Sequence, residues 1–421
     1  MKTTLSTWIE RNKNKVISSC IVALLAIVFV IIVSILGKQI IFNTSKNDKQ
    51  LQNNEPPKNA TDNATKENRN FTKLTDSEKT SIENPEDQFQ LGMSYWEKQD
   101  YTKALYWWEK SANQGHAEAQ FYLGFMYQEG QCVEEDDTKA FYWFEKSANQ
   151  GFAKAQFNLG GMYFFGEGIA QNYTKAVYWY QKSASQGDSM AQIQLGNMYL
   201  TGQGVEKDYT KAFYWWEKSA NQGHAMAQYN LGIMYATGQG VQQNLQKAHE
   251  LYEQSANQGD AMAQYSLGCM YATGQGVEKN LEKALYWCEQ SANQGYAEAQ
   301  FNLGSMYFFG ESIAQNYKKA LYWWKQSANQ GHAEAQFNLG LMYFWGKGIA
   351  QNYKKALYWW EQSANQGFAN AQFNLGLMYE KGDGVEKDFK KACEWYEKAA
   401  SQGQKKAKQR LHEMLPPKII L

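Results

Sequence analysis

The chain has 421 residues, with 42 basic and 42 acidic side chains and therefore no net charge. Because nucleic-acid binding relies on an excess of Lys and Arg, this balance argues against a DNA- or RNA-binding role. Hydrophobic residues make up 43% of the chain and aromatic residues 15%, which excludes a largely disordered protein. The cysteines lack C-x-x-C or Cys/His spacing, so they predict neither a disulfide framework nor a zinc site.

The first predicted element is a membrane-spanning helix at residues 16–37, after a short flank at 1–15. This uncharged run would span roughly 33 Å as a helix, which is enough for a bilayer core. It is longer than the apolar part of a cleaved signal peptide and lacks a small-residue cleavage site, so we expect a signal anchor. Four basic residues before it and three shortly after favour a cytoplasmic N-terminus. The rest of the chain would then be extracytoplasmic, or periplasmic in a bacterium.

Residues 38–82 are predicted to form a flexible polar linker. They are rich in Asn, Lys, Thr, Asp and Glu and show no hydrophobic period. A coil of this length has a root-mean-square reach of roughly 35 Å. The folded part that follows could therefore stand clear of a membrane.

Residues 83–403 contain nine copies of one unit. The pair Leu-Gly recurs after 32 residues and then every 36, and the motif S/A-A-N/S-Q-G recurs every 36 residues. Each unit predicts a helix A that ends at a glycine and a helix B that opens at an Asp or Asn N-cap. Such short helices cannot bury their apolar faces alone, so the units must stack. Residues 404–421 predict a polar capping helix and a tail.

The glycine of the Leu-Gly pair lies inside helix A, where it costs about 1 kcal/mol relative to alanine. We expect its missing side chain to let helix A approach a neighbouring helix closely. Cys132 and Ser312 replace the second glycine of their G-x-G loops. We expect these two loops to take a different turn from the others.

The repeated pattern is A-x-A-Q-[FY]-N-L-G-x-M-Y-x-x-G-x-G-V-x-x-[ND]-Y-x-K-A-x-Y-W-W-x-x-S-A-N-Q-G. It resembles the Sel-1-like repeats, which are relatives of the tetratricopeptide repeats, over residues 83–415. The resemblance implies an all-α fold, namely a right-handed α-solenoid of about nine helix-turn-helix repeats. It also implies a scaffold or adaptor role towards other proteins, without naming a partner.

One column of helix A, directly before the Leu-Gly pair, is rich in asparagine and should line the concave surface. An amide can donate to a carbonyl group and accept from an N–H group of an extended peptide, so this column is a candidate peptide-binding groove. Related tetratricopeptide domains use concave asparagines in this way. The alternative is that the amides only join adjacent units by hydrogen bonds. The candidate residues are Asn158, Asn230, Asn302, Asn338 and Asn374.

One column of helix B lies opposite its packed face and predicts an exposed aromatic stripe for a glycan or a partner surface. The alternative is a set of solvated tyrosines, copied with the repeats, that bind nothing. The column contains Tyr106, Tyr142, Tyr178, Tyr214, Tyr286, Tyr322 and Tyr358. A neighbouring aromatic column of helix A predicts packing between repeats, with Phe121, Phe157, Tyr229, Tyr265, Phe301, Phe337 and Phe373.

No G-x-S-x-G, H-E-x-x-H or P-loop motif occurs, and the histidines lack metal-ligand spacing. We therefore predict a membrane-anchored, non-enzymatic scaffold without a metal or cofactor, whose partners are proteins or peptide segments. Cys269 and Cys288 are expected to be free thiols. The alternative is a cell-envelope factor that binds peptidoglycan or another glycan, with the weak penicillin-directed hydrolase activity that resemblance to a few family relatives implies.

Overall fold

A computed structural model of the protein describes residues 82–310 and 313–414. All regular structure in these ranges is helical, and the chain forms two compact units that divide after Trp215. The helices before the division are α1 (Pro85–Glu97), α2 (Tyr101–Asn113), α3 (Ala117–Glu129), α4 (Asp137–Asn149), α5 (Ala153–Phe165), α6 (Tyr173–Ser185) and α7 (Ser189–Thr201). The division falls within α8 (Tyr209–Asn221).

The second unit continues the same alternation of helices. It contains α9 (Ala225–Thr237), α10 (Leu245–Asn257), α11 (Ala261–Thr273), α12 (Leu281–Asn293), α13 (Ala297–Phe309), α14 (Tyr317–Asn329), α15 (Ala333–Trp345), α16 (Tyr353–Asn365), α17 (Ala369–Lys381), α18 (Phe389–Ser401) and α19 (Lys405–Met414). Helix A of each repeat is odd-numbered and helix B is even-numbered. The prediction of an all-α solenoid of nine repeats is confirmed for the described residues.

The predicted membrane helix at 16–37 and linker residues 38–81 lie outside the described residues, so they stay predictions. None of the helices within the described ranges combines the length and the hydrophobicity that a bilayer crossing requires.

Each even-numbered helix begins at the predicted Asp or Asn cap. In α6, for example, Asn172 Oδ1 accepts a hydrogen bond from the backbone N–H of Lys175 at 3.0 Å. The same bond recurs at 2.9 to 3.2 Å at Asp100, Asp136, Asp208, Asn244, Asn280, Asn316, Asn352 and Asp388. The column therefore satisfies one otherwise unpaired donor in the first turn of every helix B.

The glycine inside helix A makes room for a large ring of helix B, as predicted. A Cβ atom at Gly340 would lie 2.2 Å from Nε1 of Trp360. At Gly268 the facing residue is Cys288 instead of an aromatic residue, and the nearest atom would be the carbonyl oxygen of Ala284 at 3.2 Å. The close approach therefore depends on the ring that faces the glycine.

The expectation of a different turn at Cys132 is wrong. Cys132 has φ 60°, in the left-handed region, close to the φ of 66° and 71° at the equivalent Gly168 and Gly204. The loop therefore keeps its backbone course and places a side chain in a conformation that favours glycine. Ser312 lies outside the described residues.

Two buried polar columns link helices within a repeat and across to the repeat before it. Ser147 Oγ donates a hydrogen bond to the carbonyl oxygen of Ala117 at 2.7 Å. Gln150 Nε2 donates to Gln120 Oε1 at 2.7 Å, and Gln120 Nε2 donates to the carbonyl oxygen of Ala112 at 3.0 Å. Buried polar groups are costly unless paired, so the first two bonds fix helix B against helix A of the same repeat, and the third fixes helix A against the preceding helix B.

Candidate functional site

The candidate site is one side of the odd-numbered helices, which we call the amide face. In each unit it consists of the second, sixth, ninth and thirteenth residues of the odd-numbered helices, which are α3 to α7 in the first unit and α9 to α17 in the second. This spacing keeps side chains on one side of a helix. In α15 these residues are Glu334, Asn338, Leu341 and Trp345, and all four are at least partly exposed. The amide face is therefore the side of helix A that the packing leaves accessible.

All five predicted asparagines occupy the sixth position and are partly exposed. Asn302 Nδ2 donates a hydrogen bond to the hydroxyl of Tyr265 at 2.9 Å, which joins α13 to α11. The side chains of the other four make no hydrogen bond within the described part of the chain: Asn158, Asn230, Asn338 and Asn374. The alternative of a bridge between repeats thus applies to one of the five residues.

The same position is occupied differently in the first unit. Tyr122 of α3 packs its ring on Trp108, with ring centroids 4.8 Å apart. Gln194 of α7 is only 8% exposed. At this sixth position, only Asn158 of α5 is an asparagine among α3, α5 and α7, whereas α9, α13, α15 and α17 each carry one.

The second position of the amide face carries charge in four of these eight helices. In the second unit it holds Glu298 of α13 and Glu334 of α15, and burial raises the pKa of both carboxyl groups above the usual range. Neither carboxylate forms an ion pair with Lys or Arg among the residues that the structure describes. A carboxylate that loses water without gaining a cation is electrostatically uncompensated.

His332 lies at the start of α15 and does not supply the missing positive charge. Its Nδ1 atom accepts a hydrogen bond from the backbone N–H of Ala335 at 3.2 Å, and its ring stacks on Phe301 at 4.7 Å. Burial lowers the pKa of His332 to about 4. The imidazole is therefore neutral at pH 7.

The predicted tyrosine column is exposed on the even-numbered helices. The seven side chains are between 46% and 55% exposed. In the first unit a lysine four residues later lies over the ring, as with Lys146 over Tyr142 at 4.6 Å and Lys182 over Tyr178 at 4.8 Å. A shallow cavity of about 310 Å³ beside Tyr178 is lined by Gln156, Gln181, Lys182, Ser185 and Gln186.

The neighbouring aromatic column of helix A packs between repeats, as predicted. Phe301 and Phe337 are 7% and 6% exposed. Phe337 of α15 packs against Phe368, directly before α17, with ring centroids 5.1 Å apart. This column is therefore part of the core, not of the amide face.

No disulfide joins Cys269 and Cys288 in the described structure, and their state as thiols stays a prediction. Cys288 is buried at the position where other repeats place a large ring, and burial raises the pKa of its thiol. Among the described residues, no three His, Cys, Asp or Glu side chains are placed to hold a metal ion.

Comparison with known families agrees with the helix pairs. A family model described as Sel1 repeat matches residues 85–116, 117–152, 153–188, 189–224, 225–260, 261–296, 297–332, 333–368 and 369–404. The chain belongs to the Sel1 repeat family. Each Sel1 repeat covers one odd-numbered helix and the even-numbered helix that follows. Among curated proteins, none matches significantly.

Two solved structures of Sel1 repeat proteins are similar to this chain. One is c5321, a protective antigen present in uropathogenic Escherichia coli strains, with 33% identity, a TM-score of 0.61, and coverage of 80% of this chain and 81% of the other. The second is a Sel1 repeat protein from Oxalobacter formigenes, with 33% identity, a TM-score of 0.59, and coverage of 79% of this chain and 95% of the other.

Proposed function

We propose that this Sel1 repeat protein is a membrane-tethered scaffold that holds an extended segment of a partner protein on the amide face. The Sel1 fold itself suggests a role in protein–protein interaction. The observation that carries the more specific proposal is the set of accessible, unpaired amides at one repeated position: Asn158, Asn230, Asn338 and Asn374.

The chemistry of an amide suits a peptide backbone. Each asparagine offers both donors and acceptors, so it can pair with the C=O and N–H groups of an extended chain at once. Such pairing gives affinity with little dependence on the partner's sequence. Specificity would then come from the more variable positions of the same face, such as the second and the thirteenth.

The repeat spacing also suits an extended chain. Packed helices lie about 8–10 Å apart, and an extended chain advances about 3.3 Å per residue. Phe301 of α13 lies in one buried cluster with Ala335 and Leu339 of α15, and its ring stacks on His332, directly before α15, so successive odd-numbered helices are neighbours. A bound segment would therefore meet a new repeat about every third residue.

The membrane tether is supported by the sequence of residues 16–37. Tethering would raise the effective concentration of the repeats near membrane-bound partners. Deleting residues 16–37 should move the protein from the membrane fraction to the supernatant after ultracentrifugation. The tether would be contradicted if the chain without residues 16–37 still sedimented with membranes. It would also be contradicted if the full chain did not sediment with them.

A glycan-binding role remains the second candidate, and the exposed tyrosines favour it. Sugars stack on an open aromatic face. In the first unit a lysine occupies one face of the ring, whereas Tyr322 and Tyr358 are followed four residues later by glutamine. The second unit therefore offers the better platform for a sugar.

Affinity capture with the full chain in mild detergent tests both candidates. The main variant replaces the four unpaired asparagines by alanine, and the matched control replaces four exposed tyrosines by serine, at Tyr142, Tyr178, Tyr322 and Tyr358. Each lost hydrogen bond is worth about 1 kcal/mol, so the asparagine variant should lose a specifically retained protein almost completely while the tyrosine variant keeps it.

Circular dichroism should show equal helicity for the three proteins. Equal retention by the parent and the asparagine variant would contradict peptide binding on the amide face. Binding of peptidoglycan fragments by the parent but not by the tyrosine variant would instead establish the glycan role.

A further inference from the structure

The amide face of α13 and that of α15 share one layout. Each begins with a carboxylate, continues with an asparagine and ends with an exposed aromatic side chain. In α13 the ends are Glu298 and Phe309, which is 39% exposed, and in α15 they are Glu334 and Trp345, which is 52% exposed. The two ends lie about 16 Å apart along each helix axis. A segment that crosses both helices would therefore have an acidic edge on one side and an aromatic edge on the other.

The acidic edge has no counter-charge of its own. Two lysines that contact these helices are engaged with tyrosines, since Lys319 Nζ donates to the hydroxyl of Tyr307 at 3.2 Å and Lys355 lies over the ring of Tyr343 at 5.3 Å. His332, which precedes α15, is partly buried and neutral at pH 7. The carboxylates are thus partly desolvated, with charge that a bound cation would compensate.

We propose that the amide face of α13 and α15 selects a partner segment that carries Lys or Arg at every third residue, with these cations paired to Glu298 and Glu334. This inference rests on the proposed function, because the asparagines are taken to hold the segment's backbone. The ligand is a basic, extended stretch of polypeptide.

The spacing of the cations follows from the helix spacing. A polyproline II helix rises about 3.1 Å per residue with three residues per turn, so every third side chain points the same way about 9 Å further on. This repeat matches the distance of about 8–10 Å between packed helices. Cations at every third residue would reach Glu298 and then Glu334, while the intervening side chains turn towards Phe309 and Trp345.

The first unit lacks this arrangement. Its second position holds Glu118 of α3, Lys154 of α5 and Met190 of α7. In the first unit, a segment with a cation at every third residue would meet the carboxylate of Glu118 and then the cation of Lys154. Charge complementarity therefore assigns the basic segment to the second unit.

The test measures binding of fluorescent peptides to the full chain in mild detergent by anisotropy. The probe has four Lys-Pro-Leu triplets, and the controls have Gln-Pro-Leu or Glu-Pro-Leu triplets. The lysine peptide should bind at least about tenfold more tightly than the glutamine peptide, and the glutamate peptide should bind most weakly. The preference should fall as salt is added.

Two variants locate the charge effect. The double variant E298Q and E334Q should bind the lysine and glutamine peptides equally, whereas the matched control E118Q should keep the parent's preference. The inference is overturned if the parent shows no preference for lysine, if it binds no peptide, or if the double variant keeps the preference.

A third variant separates this inference from the proposed function. N338A combined with N374A should weaken all three peptides together. If it does so while the parent shows no preference for lysine, peptide binding on the amide face stands and only the basic ligand is wrong. If peptides bind the parent and this variant equally, the proposed function itself fails.

Discussion

The two units share their buried columns and differ on their accessible faces. Both use the N-cap, glycine, serine and glutamine columns in the same way, as Ser147 and Ser363 show by donating to carbonyl oxygens 30 residues earlier at 2.7 Å. On the accessible faces, the first unit covers its tyrosines with lysines and has one asparagine at the sixth position of helix A. The second unit follows three of its tyrosines with glutamine, and it has four asparagines at the sixth position and two glutamates that pair with no Lys or Arg in the described structure.

This difference shows where specificity can reside in a repeat protein. Substitutions in the buried columns disturb the packing of neighbouring repeats, since stability is a sum over repeats and their interfaces. The accessible columns carry no such constraint. Differences between copies at these positions are therefore compatible with the fold, and the proposed function assigns them to partner specificity.

The largest expected effect concerns His332, whose buried environment distinguishes the second unit. Its pKa is lowered to about 4 from an ordinary value of about 6.5. The unfolded chain binds more protons in this window, so stability is lost as the pH falls from about 6.5 to about 4, by up to about 3 kcal/mol. The variant H332F places a phenylalanine at this position, as Phe368 does at the equivalent position of the next repeat. It should remove this pH-dependent part of the stability.

Urea unfolding of the parent and H332F across this pH range checks the prediction. The buried carboxyl groups, whose raised pKa acts in the opposite direction, are common to both proteins, so the difference between the two curves isolates His332. Parallel curves for the two proteins would show that His332 is not held neutral by its surroundings.

The next prediction concerns the glycine inside helix A and the residue of helix B that faces it. G340A should destabilise the protein by about 2 kcal/mol, because overpacking against Trp360 outweighs the gain in helix propensity. G268A faces Cys288 and should change stability by less than about 1 kcal/mol. The shift of the urea midpoint measures both, and equal shifts would contradict the role assigned to the facing ring.

A smaller effect compares one tryptophan from each unit. Trp360 Nε1 donates to the carbonyl oxygen of Phe337 at 3.1 Å, whereas Trp108 Nε1 is buried without a partner in the described structure. W360F loses a buried hydrogen bond and W108F removes an unpaired donor, so W360F should be the more destabilising by about 1 kcal/mol. Thermal unfolding followed by circular dichroism decides the order.

The smallest effect concerns the outer faces. K146Q makes the first unit resemble the second by removing the cation over Tyr142, an exposed contact worth about 0.5 kcal/mol. A loss much above 1 kcal/mol in urea unfolding would mean that the lysines belong to the fold and not to a tolerant surface.

The repetition made most of the fold predictable. Nine copies identified the caps, the glycines that admit a ring and the exposed tyrosines, because each column follows from helix periodicity. The serine and glutamine bonds between the two helices of a repeat were missed, since they join residues about 30 positions apart. The turn at Cys132 was predicted wrongly because its backbone follows the common loop despite the side chain.

The candidate site was predictable only in part. The asparagine column is visible in the sequence, but its alternatives were separated by the contact of Asn302 with Tyr265 and by the unpaired state of Asn338 and its equivalents. The raised pKa of Glu298 and Glu334 depends on burial by neighbouring side chains and on the absence of a nearby cation. Neither condition can be seen in one repeat.

Site-specific photocrosslinking in cells tests the central claim most directly. A benzophenone amino acid is placed at Leu341 on the amide face of α15 or, as the matched control, at Tyr322 on the outer face of α14. The account predicts a discrete crosslinked protein from position 341 and none from position 322, with the former lost when Asn338 and Asn374 are changed to alanine. Crosslinks from position 322 alone would contradict it.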